Sequence, residues 1–202
     1  MQSQDWPSPD SLAIRAEVFA GEYFDDMRFT TDRWEPSIVE PYLLVECNGI
    51  QEVYSSPELD ITRYKFTVGE LCEGGEGQCD RKNMTITMAP KCEHDDNVLL
   101  HEMIHGYEHL IDECAAYSQF HDVVLLCLYN HLKPQISDLD ERILSHAHIF
   151  NGIDITHRGG KHDVLFLLKS YDLDLRRGQP LGTVCGYGRD AQGTSSEDAP
   201  QA

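Results

Sequence analysis

The sequence predicts an α+β fold, and three observations carry that reading. A short segment with strand-like alternation, Met84-Thr-Ile-Thr-Met88, stands directly before a long amphipathic helical pattern. Further helical patterns follow it toward the carboxyl end. The chain is also apolar enough to bury a core: 41% of its 202 residues are hydrophobic, with 9 Tyr, 7 Phe and 2 Trp.

Taken in order, Ser11 to Met27 has the three-and-four spacing of a helix, and Tyr42–Cys47 and Tyr64–Val68 read as strands. Leu71 to Lys82 contains Cys72-Glu-Gly-Gly-Glu-Gly-Gln-Cys79, whose glycines break regular structure and predict a loop. The strand Met84–Met88 ends before Pro90. A helix then starts with Asp96 or Asn97 as its cap, with Leu100, Met103, Ile104, Tyr107, Leu110, Ile111 and Cys114 along its apolar stripe. Helices are also expected over Gln119–Leu132, stopped by Pro134, over Leu139–Phe150, stopped by Asn151-Gly152, and over Lys161–Tyr171. Residues 1–10 and 188–202 are poor in large apolar groups and read as flexible ends, which leaves a single domain at 11–187.

Charge and cysteine usage narrow the classes. Lys+Arg number 16 against 35 Asp+Glu, a formal net charge of −19. Phosphate backbones and anionic lipid surfaces attract basic proteins, so direct nucleic-acid binding and membrane binding are not expected, and the favoured partners are basic proteins. No apolar run approaches the roughly 20 residues that span a bilayer, and the amino end lacks a basic-then-apolar leader pattern. The expectation is an intracellular protein, cytoplasmic or nuclear. Seven scattered cysteines, an odd number, do not form the framework of a disulfide scaffold.

Ten histidines are the sharper signal, because nine fall between His94 and His157 and the tenth is His162. On the helix after the strand, His101-Glu-Met-Ile-His105 is an HExxH pattern. Side chains at i and i+4 lie about 40° apart around a helix, so both imidazoles can reach one ion. Glu102 stands beside that ion, where its carboxylate can take a proton from water. The chemistry implied is metal-assisted amide hydrolysis with zinc as cofactor, the preceding strand flanking the cleft and pairing with an extended substrate. The competing reading is a surface helix with two solvated histidines. Glu108 and Asp112 share the histidine face, either as outer hydrogen-bond partners of the ligands or as a solvated acidic edge.

A catalytic zinc takes three protein ligands. The residues leave the third open among Glu113, His121, His131, His146, His148, His157, His162 and Asp163. On a continuous helix Glu113 would be rotated about 80° off the metal face and about 12 Å along the axis from His105. His121 requires a tight reversal after Cys114, and His131 and His146 are expected on exposed faces of their own helices. Cys72, Cys79, Cys92 and His94 could make a second, structural zinc site, or they are buried and loop thiols beside a solvated imidazole.

The segment Leu99-Leu-His-Glu-Met-Ile-His-Gly106 resembles the LLHEMIHA segment of the SprT-like (Spartan-type) zinc metallopeptidase family, and Gly159-Gly-Lys-His162-Asp-Val-Leu-Phe166 is similar to that family's HGxxF-like element. The resemblance covers roughly Leu71 to Leu175. It implies a zincin-like metallopeptidase with a small sheet and an HExxH active-site helix. It also implies zinc held by His101, His105 and His162, with His157, Asp163 and Glu113 as reserve third ligands, Glu102 as general base, and Phe166 as a core residue. The 56 residues between His105 and His162 exceed the family's usual span, so about 113–157 is expected to be an inserted helical segment. No CxxC pair follows the domain, which argues against the DNA-binding ribbon the family often carries. The function implied is a zinc-dependent endopeptidase acting on protein or peptide substrates. Two alternatives stand beside it: a catalytically silent, zinc-stabilised binding or scaffold protein, and a zincin-type effector.

Overall fold

The computed structural model describes residues 11–24, 60–71, 75–113, 120–149 and 162–186. The expected strand Tyr42–Cys47, both chain ends, Cys72 and His157 lie outside these. Helix α1 (Leu12–Tyr23) begins at the expected place because the Ser11 hydroxyl accepts from the Ile14 N–H at 3.4 Å. Its buried stripe, Leu12, Ala16 and Ala20, faces the rest of the core.

Three strands form one mixed sheet in the order β1-β3-β2. Strand β1 (Lys65–Val68) runs parallel to β3 (Thr85–Met88), and β2 (Gly77–Asp80) runs antiparallel to β3. The alternation read in Met84–Met88 is realised, with Ile86 and Met88 fully buried and Thr85 and Thr87 half-buried between them. Two expectations are corrected here. The Gly-rich run 71–82 ends in a strand, since Gly77–Asp80 finds its partner in β3 and the Asp80 carboxylate closes the following turn by accepting from Asn83 N at 3.1 Å. Strand β3 is central and paired on both sides, so among the described residues β2 is the strand that edges the sheet beside the helix.

Helix α2 (Asp96–Glu113) carries the HExxH pattern. Its cap is Asp95, one residue before Asp96 and two before Asn97: the Asp95 carboxylate accepts from Asn97 N at 3.0 Å and Val98 N at 3.3 Å. Leu99, Leu100, Met103, Ile104 and Tyr107 are fully buried, and the helix packs on β2 and β3 and against the helix Val164–Arg176. Gly106 stands where the LLHEMIHA pattern has alanine. A Cβ there would lie 2.6 Å from Ile61 Cδ1, so glycine lets the turn before β1 close on the helix.

Helices α3 (Phe120–Leu132) and α4 (Leu139–Ile149) fall within the stretch read as a helical segment. Helix α5 (Val164–Arg176) starts later than expected because Asp163 caps it, accepting from Phe166 N at 3.0 Å, and it runs five residues past Tyr171. This leaves His162 just outside the helix. From Val164 to Asp174 every residue of α5 is buried, which makes it the central helix. No described helix is long and apolar enough to cross a membrane.

Lys169 sits inside this core with no exposed surface. Its ammonium donates to Tyr23 O at 2.8 Å and to Asp172 Oδ2 at 3.0 Å, and lies 5.1 Å from the Phe24 ring centre and 5.4 Å from that of Tyr107. Burial pushes the Asp172 carboxyl up, but Lys169 and then Arg176 outweigh it and hold the group below its ordinary value. The end of α1 is thereby fastened to α5. Lys169→Ala is expected to lower unfolding free energy by about 3 kcal/mol, since it removes the nearest partner of the buried Asp172 carboxylate and leaves it the more distant Arg176 at 3.6 Å and His131 at 3.9 Å. Because the Asp172 value is depressed, its contribution is present above pH ~4 and fades as the medium is acidified. Urea denaturation at pH 7 and pH 3 measures both, and a loss under 1 kcal/mol at pH 7 would contradict the role assigned to Lys169.

Candidate metal centre

His101 and His105 project from one face of α2, and the chain before α5 brings His162 to them. Their ligating atoms all lie within 4.8 Å of one another, and among the described residues they form the one cluster of His, Cys, Asp or Glu suited to a metal ion. His101 Nε2 and His162 Nε2 are 3.1 Å apart. Two nitrogens at 2.0–2.1 Å from a tetrahedral ion would stand about 3.3 Å apart. The same spacing also suits a hydrogen bond between neutral rings.

The tautomers are set by the other ring nitrogens. His101 Nδ1 lies 2.9 Å from the Val184 carbonyl oxygen, which can only accept, so Nδ1 carries a hydrogen, and in the neutral ring this leaves the lone pair on Nε2. His105 Nδ1 lies 3.2 Å from Glu108 Oε2, which also accepts from Arg81 Nη2 at 3.3 Å. Burial, then the neighbouring His101 and His162, lowers the His105 pKa to about 3, so this ring is neutral and able to donate to a cation. Phe166 underlies all three imidazoles, its ring centre 4.8, 4.7 and 4.5 Å from those of His101, His105 and His162.

Glu102 is buried at the edge of the cluster. Burial pushes its pKa up to about 7, against the opposing backbone N–H of Cys79. A Cβ on Gly77 would stand 2.7 Å from Glu102 Cγ and 2.9 Å from Oε1, so β2 approaches this carboxylate as closely as glycine permits. A cavity of about 190 Å³ opens here, lined by Gly77, Asn97, His101, Glu102, Thr183 and Val184 among others.

The remaining candidates have other partners. Glu108 is the outer partner of His105, whereas Asp112 is 46% exposed and reaches Arg81 at 3.8 Å. Burial, and then Asp163, pushes Glu108 well above the carboxylate range. Burial also raises Asp163, but His121, the Phe166 backbone N–H and Glu108 outweigh it and hold this carboxyl below its ordinary value. Asp163 is therefore a helix cap with His121 at 3.6 Å, and is not among the clustered ligands. Glu113 pairs with His109 at 3.3 Å near the end of α2. His131 is exposed, as expected, but His146 is buried, because its Nε2 bonds to the His162 carbonyl at 2.8 Å. His121 is buried as well. The side chain of His148 lies outside the described residues. Of the proposed cysteine site, Cys92 is buried, His94 is exposed, and burial first and Glu102 second push the Cys79 thiol up to about 12. Those three are not drawn together with metal-ligand spacing.

Two features of the site were not read from the sequence. One is the Val184 carbonyl, a backbone group that no residue type announces. The other is the close approach of β2, for which Gly77 is the only sequence trace. No protein-family model, curated protein or solved structure matches the chain, so the site stands on its own geometry.

Three clustered imidazoles are a donor set suited to zinc and its first-row neighbours. Chelator-stripped protein titrated with zinc is expected to take up one ion per chain, and His162→Ala to weaken uptake at least tenfold, as read by competition with a chromophoric chelator. Unchanged affinity in His162→Ala would remove it from the ligand set. A second ion, lost in Cys79→Ser, would restore the cysteine site.

Proposed function

We propose that the chain is a zinc-dependent endopeptidase of the SprT-like type on a zincin-like fold. The observation that carries the reading is the combination of a three-histidine cluster with a buried carboxylate, Glu102, beside a cavity. Zinc held by His101, His105 and His162 would supply Lewis acidity, polarising a peptide carbonyl and making water acidic enough to ionise near neutral pH.

The chain's own residues do the rest. Glu102, raised to about 7 by burial, can take a proton from attacking water and pass it to the leaving amine. Phe166 keeps the cluster dry on its inner side. The outer edge of β2 supports the placement of substrate. Ala89 N donates to Glu76 O at 2.9 Å, so Gly77 and Met88 form a non-hydrogen-bonded pair and the Gly77 N–H and C=O point away from β3. An extended peptide could pair with those groups and pass between β2 and the histidines. The corrected sheet order supports β2, and not β3, in this role. The net charge of −19 favours Lys- or Arg-rich protein substrates by long-range attraction.

Glu102→Gln is expected to keep its zinc and lose cleavage of an unfolded casein-like substrate by a factor of at least about 100. Retained turnover would refute the general-base role. Absence of zinc-dependent turnover in the wild type would favour a silent scaffold.

Gly77→Ala separates positioning from metal binding. The added methyl has to displace Glu102, so kcat is expected to fall by roughly 100-fold while zinc affinity is unchanged. An active Gly77→Ala enzyme would show that Glu102 acts from elsewhere.

A further inference from the structure

We propose that Asp174 is a positioning residue of the metal centre: from within α5 it folds the 182–184 turn so that the Val184 carbonyl meets His101 Nδ1. The inference rests on the reading of the three-histidine cluster as a metal site.

Asp174 is fully buried, yet both its carboxylate oxygens are engaged by main chain. Oδ2 accepts from Gly182 N at 2.7 Å and Thr183 N at 3.1 Å, and Oδ1 accepts from Val184 N at 3.1 Å. A buried carboxylate is costly unless such donors surround it, and here one side chain fixes three successive peptide units. The last of these is Val184. Its N–H is held by Asp174, and its C=O stands 2.9 Å from His101 Nδ1. One residue thus separates the carboxylate from the imidazole whose tautomer has to leave Nε2 open to an ion.

The chain leaving α5 toward the turn is itself tied down. Gln179 N donates to Asp174 O at 2.8 Å, and Arg177 Nη1 donates to Asn97 Oδ1 at 2.6 Å, joining the end of α5 to the start of α2. Asparagine has nearly the same shape but would turn an NH₂ group toward at least one of the three N–H donors. The carboxylate itself is required.

The test uses the full chain, stripped by chelator and reloaded with zinc or cobalt(II). Asp174→Asn is expected to weaken zinc binding by about 10- to 100-fold, the usual effect of losing an outer partner of a ligand histidine, and to alter the visible cobalt bands. Leu139→Ala, a core truncation at the end of α4 away from His146, is expected to lower stability and leave both readouts unchanged. A folded Asp174→Asn chain with wild-type zinc affinity and cobalt spectrum overturns the proposal. If that variant does not fold, amide exchange in the unmodified chain decides. Zinc is expected to slow exchange at Gly182, Thr183 and Val184, and rates indifferent to zinc overturn the inference. A wild-type chain that binds neither ion overturns the metal reading and this inference together, whereas normal wild-type binding with an indifferent Asp174 overturns this one alone.

Discussion

Phe166 touches all three imidazoles of the cluster, and through it the site depends on how α5 packs against α2. The ring is fully buried, so it does more than fill space: it is the surface on which the imidazoles rest. Two of those rings belong to α2 and the third to a residue 57 positions after His105. Bringing them together is a matter of tertiary packing, and the apolar contact between the two helices is what supplies the energy for it. The remaining parts of the site are attached to that contact. Asp163 caps α5 directly after His162, and His146 holds the His162 carbonyl.

Around this apolar floor lies an unusual amount of buried charge. Glu102, Glu108, Lys169, Asp172 and Asp174 are all buried on α2 or α5. Buried polar groups are tolerated only where partners meet them, and most of these have theirs at specific distances. Lys169 and Asp172 join α1 to the central helix, while Asp174 shapes the turn that reaches His101. Glu108 links Arg81, on the β2–β3 turn, to His105. Such contacts are poor sources of net stability compared with apolar packing, but they discriminate strongly between one geometry and its near neighbours. A ligand cluster has the same need, because a metal ion rewards donors only at fixed distances.

Glu102 illustrates how packing turns a residue type into a chemical property. A carboxylate one position after a histidine is legible in any sequence, but its value near 7 arises from burial against β2, where Gly77 leaves room for nothing larger than hydrogen. Glycine usually breaks strands, so the sequence of the glycine-rich run predicts a loop. At this edge it serves close approach instead.

Local periodicity determined the helices, the alternating strand β3 and the His101-Glu102-His105 geometry, because each depends only on angles repeated along the chain. The start of α1 at Ser11 is legible for the same reason, whereas the core position of Phe166 follows from the resemblance of Gly159–Phe166 to a family element. Tertiary structure decided what depends on distant partners. Asp95 took the cap of α2, β2 took the sheet edge, and His146 became buried on the His162 carbonyl. Asp163 became a cap instead of a ligand, and the Val184 carbonyl, invisible in any residue pattern, set the His101 tautomer. Hydrogen bonds and ligand sets are satisfied by whichever groups the fold brings within about 3 Å. Sequence spacing constrains that only within a helix or strand.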